Sequence, residues 1–145
     1  MSEKENLRLA EEAVAAINAH DIDRYVQLLD DSYVSESELQ PGPVRGPAGA
    51  RQRLETIFGA FPDLRLEVEQ TLASGDFVVG RGRLTGTHKG SFAGIAPTNK
   101  SVSWSTCNVV EVRNGKVIRS RVYADIASLL QQLGALSLPR PAAAG

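Results

Sequence analysis

One acidic residue, Asp125, lies where an extended stretch of the sequence becomes helical, in RSRVYADIASLLQQLG at positions 119–134. A carboxylate in a pocket could move a proton to or from a reacting molecule, as a general acid or base. The same residue precedes apolar residues at helical spacing, which is the N-cap position, where a carboxylate accepts a backbone N–H two or three residues further on. A buried ion pair with an arginine is a third interpretation. The local pattern favours the cap.

Three residues with useful chemistry recur at every second position of one predicted strand: Trp104, Thr106 and Asn108. Alternation places them on one face of that strand. The tryptophan, the only one in the chain, offers a flat wall for a polyene or aromatic ligand, or packs in the core or at a dimer contact. Thr106 and Asn108 are polar on an otherwise apolar face, so they bond each other or a ligand. The Asn108 amide can donate a hydrogen bond to a carbonyl but cannot transfer a proton at neutral pH.

A histidine, His88, lies at the end of another predicted strand, before a glycine-rich segment. An imidazole that titrates near neutral pH suits acid–base work, although a lone histidine in such a segment is more often a structural hydrogen-bonding group. No histidines, cysteines and carboxylates occur at metal-ligand spacing, so we expect no metal. The segment GRGRLTG at 80–86 lacks the lysine and the following helix of a phosphate-binding loop.

Composition bounds the class of protein. The chain has 145 residues, of which 42% are hydrophobic, and a formal net charge of −1. These values fit one globular domain. They show no excess of positive charge of the kind that binds nucleic acid or an anionic membrane. Cys107 is the single cysteine, which excludes an internal disulfide and fits a reducing cytoplasm. The charged N-terminal segment is not typical of a signal peptide, and no apolar run reaches the length of about 18 residues that spans a membrane.

The periodicity predicts helices first and a meander of strands afterwards. Apolar residues at three- and four-residue steps predict a helix over 5–18, a short helix capped by Asp21 or Asp23, and a third helix that begins near Pro47. PGPVRGP at 41–47 is typical of a loop without regular structure. Residues 33–39 form a short strand or an ordered loop.

Beyond the third helix, the period changes to two. Alternation predicts strands from 64, from 77, over 102–113 and over 116–124, with Asn114–Gly115 as a tight hairpin turn and a closing helix over 125–133. A long Gly- and Pro-rich loop over 88–100 is of the kind that is usually functional. The layout is α+β, with helices packed on one face of a curved antiparallel sheet that leaves a conical cavity.

Four segments carry a family resemblance: FPDLRLEVE, GTHKGSFAGIAPTNKSV, NGKV and DIASLLQQLG. Together they resemble the SnoaL-like polyketide cyclases of the nuclear transport factor 2-like superfamily, over residues 7–134. The resemblance implies a cone-shaped α+β barrel with an enclosed apolar pocket, usually a homodimer, that closes a ring in a polyketide during antibiotic biosynthesis without a cofactor. The expected SnoaL-like domain covers 1–136, and a mobile tail covers 137–145.

The resemblance also implies roles for individual positions. In the family, an aspartate on the last strand moves the proton of an aldol-type ring closure, and Val122 stands at that position here. A family histidine on the preceding strand corresponds to Asn108, and a family asparagine corresponds to Ser35. The predicted catalytic candidates are Asn108, Thr106 and Asp125. The predicted substrate-binding residues are Trp104, Tyr33, Ser35, Glu38, Val122 and His88.

Without that carboxylate, a ring closure that needs no proton transfer is favoured. A [4+2] pericyclic closure of a polyene gains mainly from holding the chain in a reactive fold and from polarising a carbonyl. On this interpretation the chain resembles the indanomycin-type pericyclic cyclases. Two alternatives stay open: a cofactor-free hydroxylase or isomerase that uses Asp125 or His88, and a non-catalytic module that binds a small apolar ligand.

Overall fold

The computed structural model describes residues 2–137 and 139. The predicted mobile tail over 137–145 therefore lies almost wholly outside the described residues. Within them, the helices α1 to α4 span Glu3–Asn18, Ile22–Gln27, Gly46–Ala60 and Ile126–Gln132. None of these helices is long and apolar enough to cross a membrane.

Side-chain caps explain where three of the four helices begin. The Ser2 hydroxyl accepts the N–H of Glu5 at 3.1 Å, and the Asp21 carboxylate accepts the N–H of Arg24 at 3.1 Å. Asp125 caps α4 in the same way. These bonds satisfy N–H groups that the helix itself leaves without partners. In α3, which has no side-chain cap, Pro47 occupies the first turn as predicted.

Six strands of the described chain form one sheet in the order β2-β1-β6-β5-β4-β3. In chain order, β1 to β6 span Leu29–Ser37, Val44–Arg45, Arg65–Ser74, Phe77–Thr87, Ser101–Arg113 and Lys116–Ala124. The α+β architecture is therefore confirmed. The sheet is mixed rather than wholly antiparallel, because β1 runs parallel to β6. The predicted irregular loop at 41–47 contains β2, which pairs with β1 over two residues and is too short to leave a periodic signal.

The turns follow the predicted chemistry. Asn114 and Gly115 both have positive φ, at 51° and 75°, as a tight hairpin between twisted strands requires. The predicted loop over 88–100 carries no strand of the sheet and is tied at its ends, since the N–H of His88 donates to the carbonyl of Lys100 at 2.9 Å. Its first residues are also held to the end of α3, because the N–H groups of Lys89 and Gly90 both donate to the carbonyl of Ala60.

Two separate apolar clusters fill the space between the helices and the sheet. The first, which we call the tryptophan cluster, contains Phe61, Trp104, Leu129, Leu133, Phe92, Leu64, Val102 and Ala60. The second, which we call the tyrosine cluster, contains Leu29, Tyr33, Ala50 and Val117. The strands β5 and β6 and the helix α3 contribute to both clusters, so the residues between the clusters on these elements lie in the middle of the interior.

Candidate functional site

The inner face of the sheet is set by strand alternation on β5 and β6. Trp104 and Thr106 are buried, at 3% and 7% exposure, and Asn108 continues the same face of β5. Directly across on β6, Val122 pairs with Asn108. Tyr123 points to the outer face and is 55% exposed. The expected shared face of Trp104, Thr106 and Asn108 is therefore present, and Val122 lies beside it.

Polar side chains occupy the interior between the two apolar clusters. On β5, Thr106 and Asn108 lie between Trp104 of one cluster and Val110, which packs against the other. On β6, the buried Ser120 lies between Val117 of the tyrosine cluster and Ala124, which packs against the tryptophan cluster. We call this region the polar band and define it by Tyr33, Ser35, Arg53, Thr106, Asn108 and Ser120.

Four polar atoms of the band are buried and have no hydrogen-bond partner among the described residues. They are the hydroxyl oxygens of Tyr33 and Ser35, Nε of Arg53 and Oδ1 of Asn108. Buried polar groups without partners are uncommon in folded proteins, and each one costs free energy. Four in one band indicate a surface that is suited to a polar ligand group.

Space is available at this place because β4 carries glycine there. Gly80 pairs directly with Asn108, so a side chain at Gly80 would project from the same face. A Cβ atom built on Gly80 would meet no atom within 4 Å. In contrast, a Cβ on Gly82 would lie 2.2 Å from the carbonyl oxygen of Glu67. A side chain at Gly80 would therefore have room beside Asn108, whereas one at Gly82 would not.

Trp104 borders the band and also belongs to the core. Its ring centroid lies 5.4 Å from that of Phe61, with the rings tilted by 48°. Trp104 therefore packs in the core, as one interpretation predicted. It also adjoins the polar Thr106 and Asn108 along β5, so its position is compatible with a wall for a ligand. Tyr33 and Ser35 are both fully buried on β1, and Ser35 pairs with Ser120 of β6.

Asp125 is positioned as a helix cap. Its carboxylate accepts the N–H of Ser128 at 3.0 Å, and its own N–H donates to the carbonyl of Ser105. The side chain is exposed and does not reach the polar band. It forms none of the ion pairs found among the described residues. The structure therefore favours the cap over the general acid or the ion pair.

Two further predicted residues also lie apart from the band. His88 is fully buried, and its Nδ1 accepts the N–H of Thr98 at 3.2 Å and lies 3.0 Å from the Thr98 hydroxyl. These contacts hold the 88–100 loop, with the ring 5.6 Å from that of Phe61. Glu38 is exposed in the turn after β1 and borders a small surface cavity of about 70 Å³ next to Val122 and Tyr123. Glu38 therefore does not line the interior as predicted, because the chain has already left the sheet at this residue.

Sequence reasoning missed one polar member of the interior, Arg53. Arg53 lies on α3, three residues after the buried Ala50 and four before Ile57, which packs against the tryptophan cluster. Residues at this spacing share one side of a helix. The interruption of that apolar stripe by an arginine is the signal that could have identified it. Tyr25 of α2 packs against the tyrosine cluster.

No carboxylate of the described chain is buried on the inner face. Glu36 pairs instead with Arg119 at 2.6 Å and Arg121 at 3.5 Å, and every described Asp and Glu is at least partly exposed. No group of three or more His, Cys, Asp or Glu residues in the described chain is arranged to hold a metal ion. An open groove of about 370 Å³ lies elsewhere, between Asp63, the ends of β4 and β5 and Gln132. Its lining shares no residue with the polar band.

Comparisons with known proteins agree with one another. The sequence model of one protein family, SnoaL-like polyketide cyclase, matches residues 7–133. AclR from Streptomyces galilaeus, which is proposed to be a hydroxylase, is 34% identical, with a TM-score of 0.84 over 96% of this chain and 91% of that one. No curated protein sequence matches the chain.

Two more distant structures share the fold. IdmH from Streptomyces antibioticus, which is proposed to be a polyketide cyclase, is 24% identical, with a TM-score of 0.76 over 88% of this chain and 96% of that one. An NTF2-like protein from Burkholderia thailandensis is 19% identical, with a TM-score of 0.74 over 87% and 95% of the two chains.

Proposed function

The chain belongs to the SnoaL-like polyketide cyclase family, and we propose that it closes a ring in a bound polyketide chain during antibiotic biosynthesis, by [4+2] pericyclic closure. Three π bonds of one chain reorganise into two new C–C σ bonds and one π bond. No atom enters or leaves, and no proton changes place. The protein has to fold the chain and to polarise it, and neither task needs a carboxylate.

The observation that carries this proposal is the pair Asn108 and Val122 at the middle of the inner face. They are direct cross-strand neighbours, and the acid–base aspartate of the family aligns with Val122. An aldol-type closure would lack its proton-transfer group here. The absence of a buried carboxylate from the described part of the chain supports the same conclusion.

Polar groups of the band take the role of fixed donors. The amide of Asn108 and the hydroxyls of Thr106 and Tyr33 are placed to hydrogen-bond a carbonyl that is conjugated with the reacting double bonds. Such preorganised donors lower the barrier by stabilising charge that grows in the transition state. The apolar clusters on either side hold the two reacting ends of the polyketide close together. This proximity lowers the entropic part of the barrier to ring closure.

This mechanism predicts a specific response to pH and to mutation, measured with the acyclic precursor. We expect kcat to stay constant from about pH 5 to about pH 9, because no carboxylate or imidazole has to change its protonation state. Asn108→Leu is expected to lower kcat on the order of 100-fold, as loss of one such donor does. Its free energy of unfolding should not fall, because a buried oxygen without a partner is removed.

Cys107→Ala is the matched control, since Cys107 directly precedes Asn108 on β5 and faces the outer side of the sheet, opposite Tyr123. It should leave kcat unchanged. A kcat that follows the titration of a single carboxylate, or an Asn108→Leu enzyme with full activity, would contradict the proposal.

One comparison favours a second candidate, a cofactor-free hydroxylase. AclR, at 34% identity, is proposed to be a hydroxylase. That reaction adds one oxygen atom and needs a group that removes a proton from the substrate. The two residues predicted for this role, Asp125 and His88, cap a helix and hold a loop, respectively. For this reason we place ring closure first.

We also propose that the protein works as a homodimer in the cytoplasm, without a cofactor. The usual dimeric state of the family supports the homodimer. The single cysteine fits a reducing compartment such as the cytoplasm.

A further inference from the structure

Arg53 is the one cationic side chain of the polar band. It lies on the side of α3 that faces the sheet, between Ala50 of the tyrosine cluster and Ile57 at the tryptophan cluster. Its Nε is buried and has no hydrogen-bond partner among the described residues, whose ion pairs do not include it either. Two residues earlier, Arg51 points outward and pairs with the exposed Asp23 at 2.6 Å. Both arginines are half-buried, but only Arg51 has a carboxylate partner.

Two tyrosines adjoin Arg53. Tyr33 is fully buried, and its hydroxyl has no hydrogen-bond partner within the described part of the chain. Tyr25 packs against the tyrosine cluster, with the Tyr33 hydroxyl as a neighbour. Burial, and next the neighbouring Tyr33 hydroxyl, raise the pKa of Tyr25 well above its usual range, while the charge of Arg53 acts in the opposite direction. The guanidinium therefore lies close to the phenol, and the Tyr25 hydroxyl stays a protonated donor at neutral pH.

A guanidinium inside a protein is stable only when other groups replace its hydration. Its planar fork of donors matches two oxygens that share one negative charge, as in a carboxylate or an enolate. Arg53 is half-buried, so its two terminal nitrogens remain within reach of solvent or of a ligand, and none of the ion pairs of the described chain supplies a carboxylate to it. A ligand can therefore supply the complementary charge. The tyrosine hydroxyls add neutral donors on the same side.

We propose that Arg53, together with the hydroxyls of Tyr25 and Tyr33, binds an anionic oxygen group of the substrate, either a carboxylate or the enolate of a 1,3-dicarbonyl. This inference rests on the proposed function and narrows its substrate class to polyketides that carry an acidic group. The group anchors one point of the chain at α3, so that the apolar parts extend toward the two clusters.

Binding of small acids and of their neutral derivatives tests this inference with the full chain. One pair of probes is 6-hydroxy-2-naphthoate and its methyl ester, and the other is 2-acetylcyclohexane-1,3-dione and its enol methyl ether. Calorimetry gives the Kd, and the fluorescence of Trp104, the only tryptophan, reports occupancy of the interior. We expect the wild-type protein to bind at least one acid about tenfold or more tightly than its neutral derivative. The pair that shows the difference distinguishes a carboxylate from an enolate.

Variants of α3 test whether Arg53 causes the preference for the acid. Arg53→Met keeps the length of the stem and removes the charge, and we expect it to abolish the preference for the acid while leaving the affinity for the neutral derivative unchanged. Arg53→Lys should retain part of the preference, because it keeps the charge but loses the fork. Arg51→Met is the matched control and should change neither affinity.

Equal affinity of the wild-type protein for acid and neutral derivative in both pairs would overturn the inference and would leave ring closure standing. The inference would also be overturned if Arg53→Met lowered the affinities for the acid and for the neutral derivative by the same factor. The comparison of acid and neutral derivative in the wild-type protein needs no variant. The inference can therefore be tested even if Arg53→Met does not fold. Binding of no probe would also overturn it, whereas ring closure is judged separately, from the mass of the metabolite.

Discussion

At Asp125, a carboxylate that could have been catalytic holds the first turn of α4 instead. The bond to the Ser128 N–H is 3.0 Å long, and the side chain is exposed. An N-cap acts through a neutral hydrogen-bond acceptor as well as through a charged one, since Asn and Ser cap about as well as Asp. A general acid or base, in contrast, requires a group that titrates. The two roles therefore separate cleanly under substitution.

We expect Asp125→Asn to keep both the stability and the activity of the wild-type protein. Asp125→Ala should lower the free energy of unfolding by about 1 kcal/mol, as loss of an N-cap does, and should keep its kcat at temperatures where it is folded. Chemical denaturation and initial rates measure the two effects. A stable Asp125→Asn protein without turnover would identify Asp125 as the acid or base after all.

At the scale of the element, β4 leaves room beside Asn108 at Gly80, whereas at Gly82 its backbone lies directly against that of Glu67 on β3. We expect Gly80→Val to fold normally, because the space at its Cβ is open and a β-branched residue suits a strand. The same change should lower kcat/KM by filling the place beside Asn108. Gly82→Ala should be strongly destabilised, since its Cβ would lie 2.2 Å from a backbone oxygen. Thermal melting and turnover of both variants check this, and a fully active Gly80→Val enzyme would place the substrate elsewhere.

The connection between α3 and β3 is held by a second carboxylate, Asp63. It accepts the backbone N–H and the hydroxyl of Thr87, both at 2.7 Å, and the N–H bond first and the hydroxyl bond second lower its pKa. A lowered folded-state pKa stabilises the protein above the unfolded value of about 4 and loses this effect as the pH falls through the folded value. Asp63→Ala should thus be less stable than wild type at pH 7, and the difference should vanish in acid.

Glu55→Ala on α3 is the control for Asp63→Ala, because Glu55 is exposed. Its melting temperature should follow that of the wild-type protein at every pH. A Tm difference between Asp63→Ala and wild type that stays constant down to pH 3 would mean that the effect comes from packing and not from the ionised carboxylate.

Elements with a regular period were predictable from the sequence, and contacts distant in sequence were not. The cap at Asp21, the turn at Asn114–Gly115 and the bounds of β6 follow from local chemistry. The parallel pairing of β1 with β6 does not, because no local turn fixes the direction of β1 relative to a strand so much later in the chain, where Ser120 follows its partner Ser35 by 85 positions. Arg53 was missed for a related reason: an arginine is usually exposed, and its place is set by packing of α3 against β1.

At the scale of the molecule, the helices cover one face of the sheet and leave the outer face free. The residues on that face include the exposed Tyr123 and the half-buried Val109. We expect sedimentation at micromolar concentration to give twice the chain mass of 15.6 kDa, with this face at the contact. Tyr123→Arg should shift the mass to that of one chain, whereas Glu55→Arg on α3 should not. A wild-type protein that sediments as one chain would contradict the homodimer.

The central claim is that this protein closes a ring without adding or removing atoms. The most direct measurement is the accurate mass of the metabolite that accumulates when the gene is deleted from its producing strain. Ring closure predicts an uncyclised isomer, equal in mass to the final product, that the purified protein converts without a change of mass. A metabolite lighter by one oxygen atom would contradict the claim and establish the hydroxylase. An unchanged product would contradict it as well and leave a binding role.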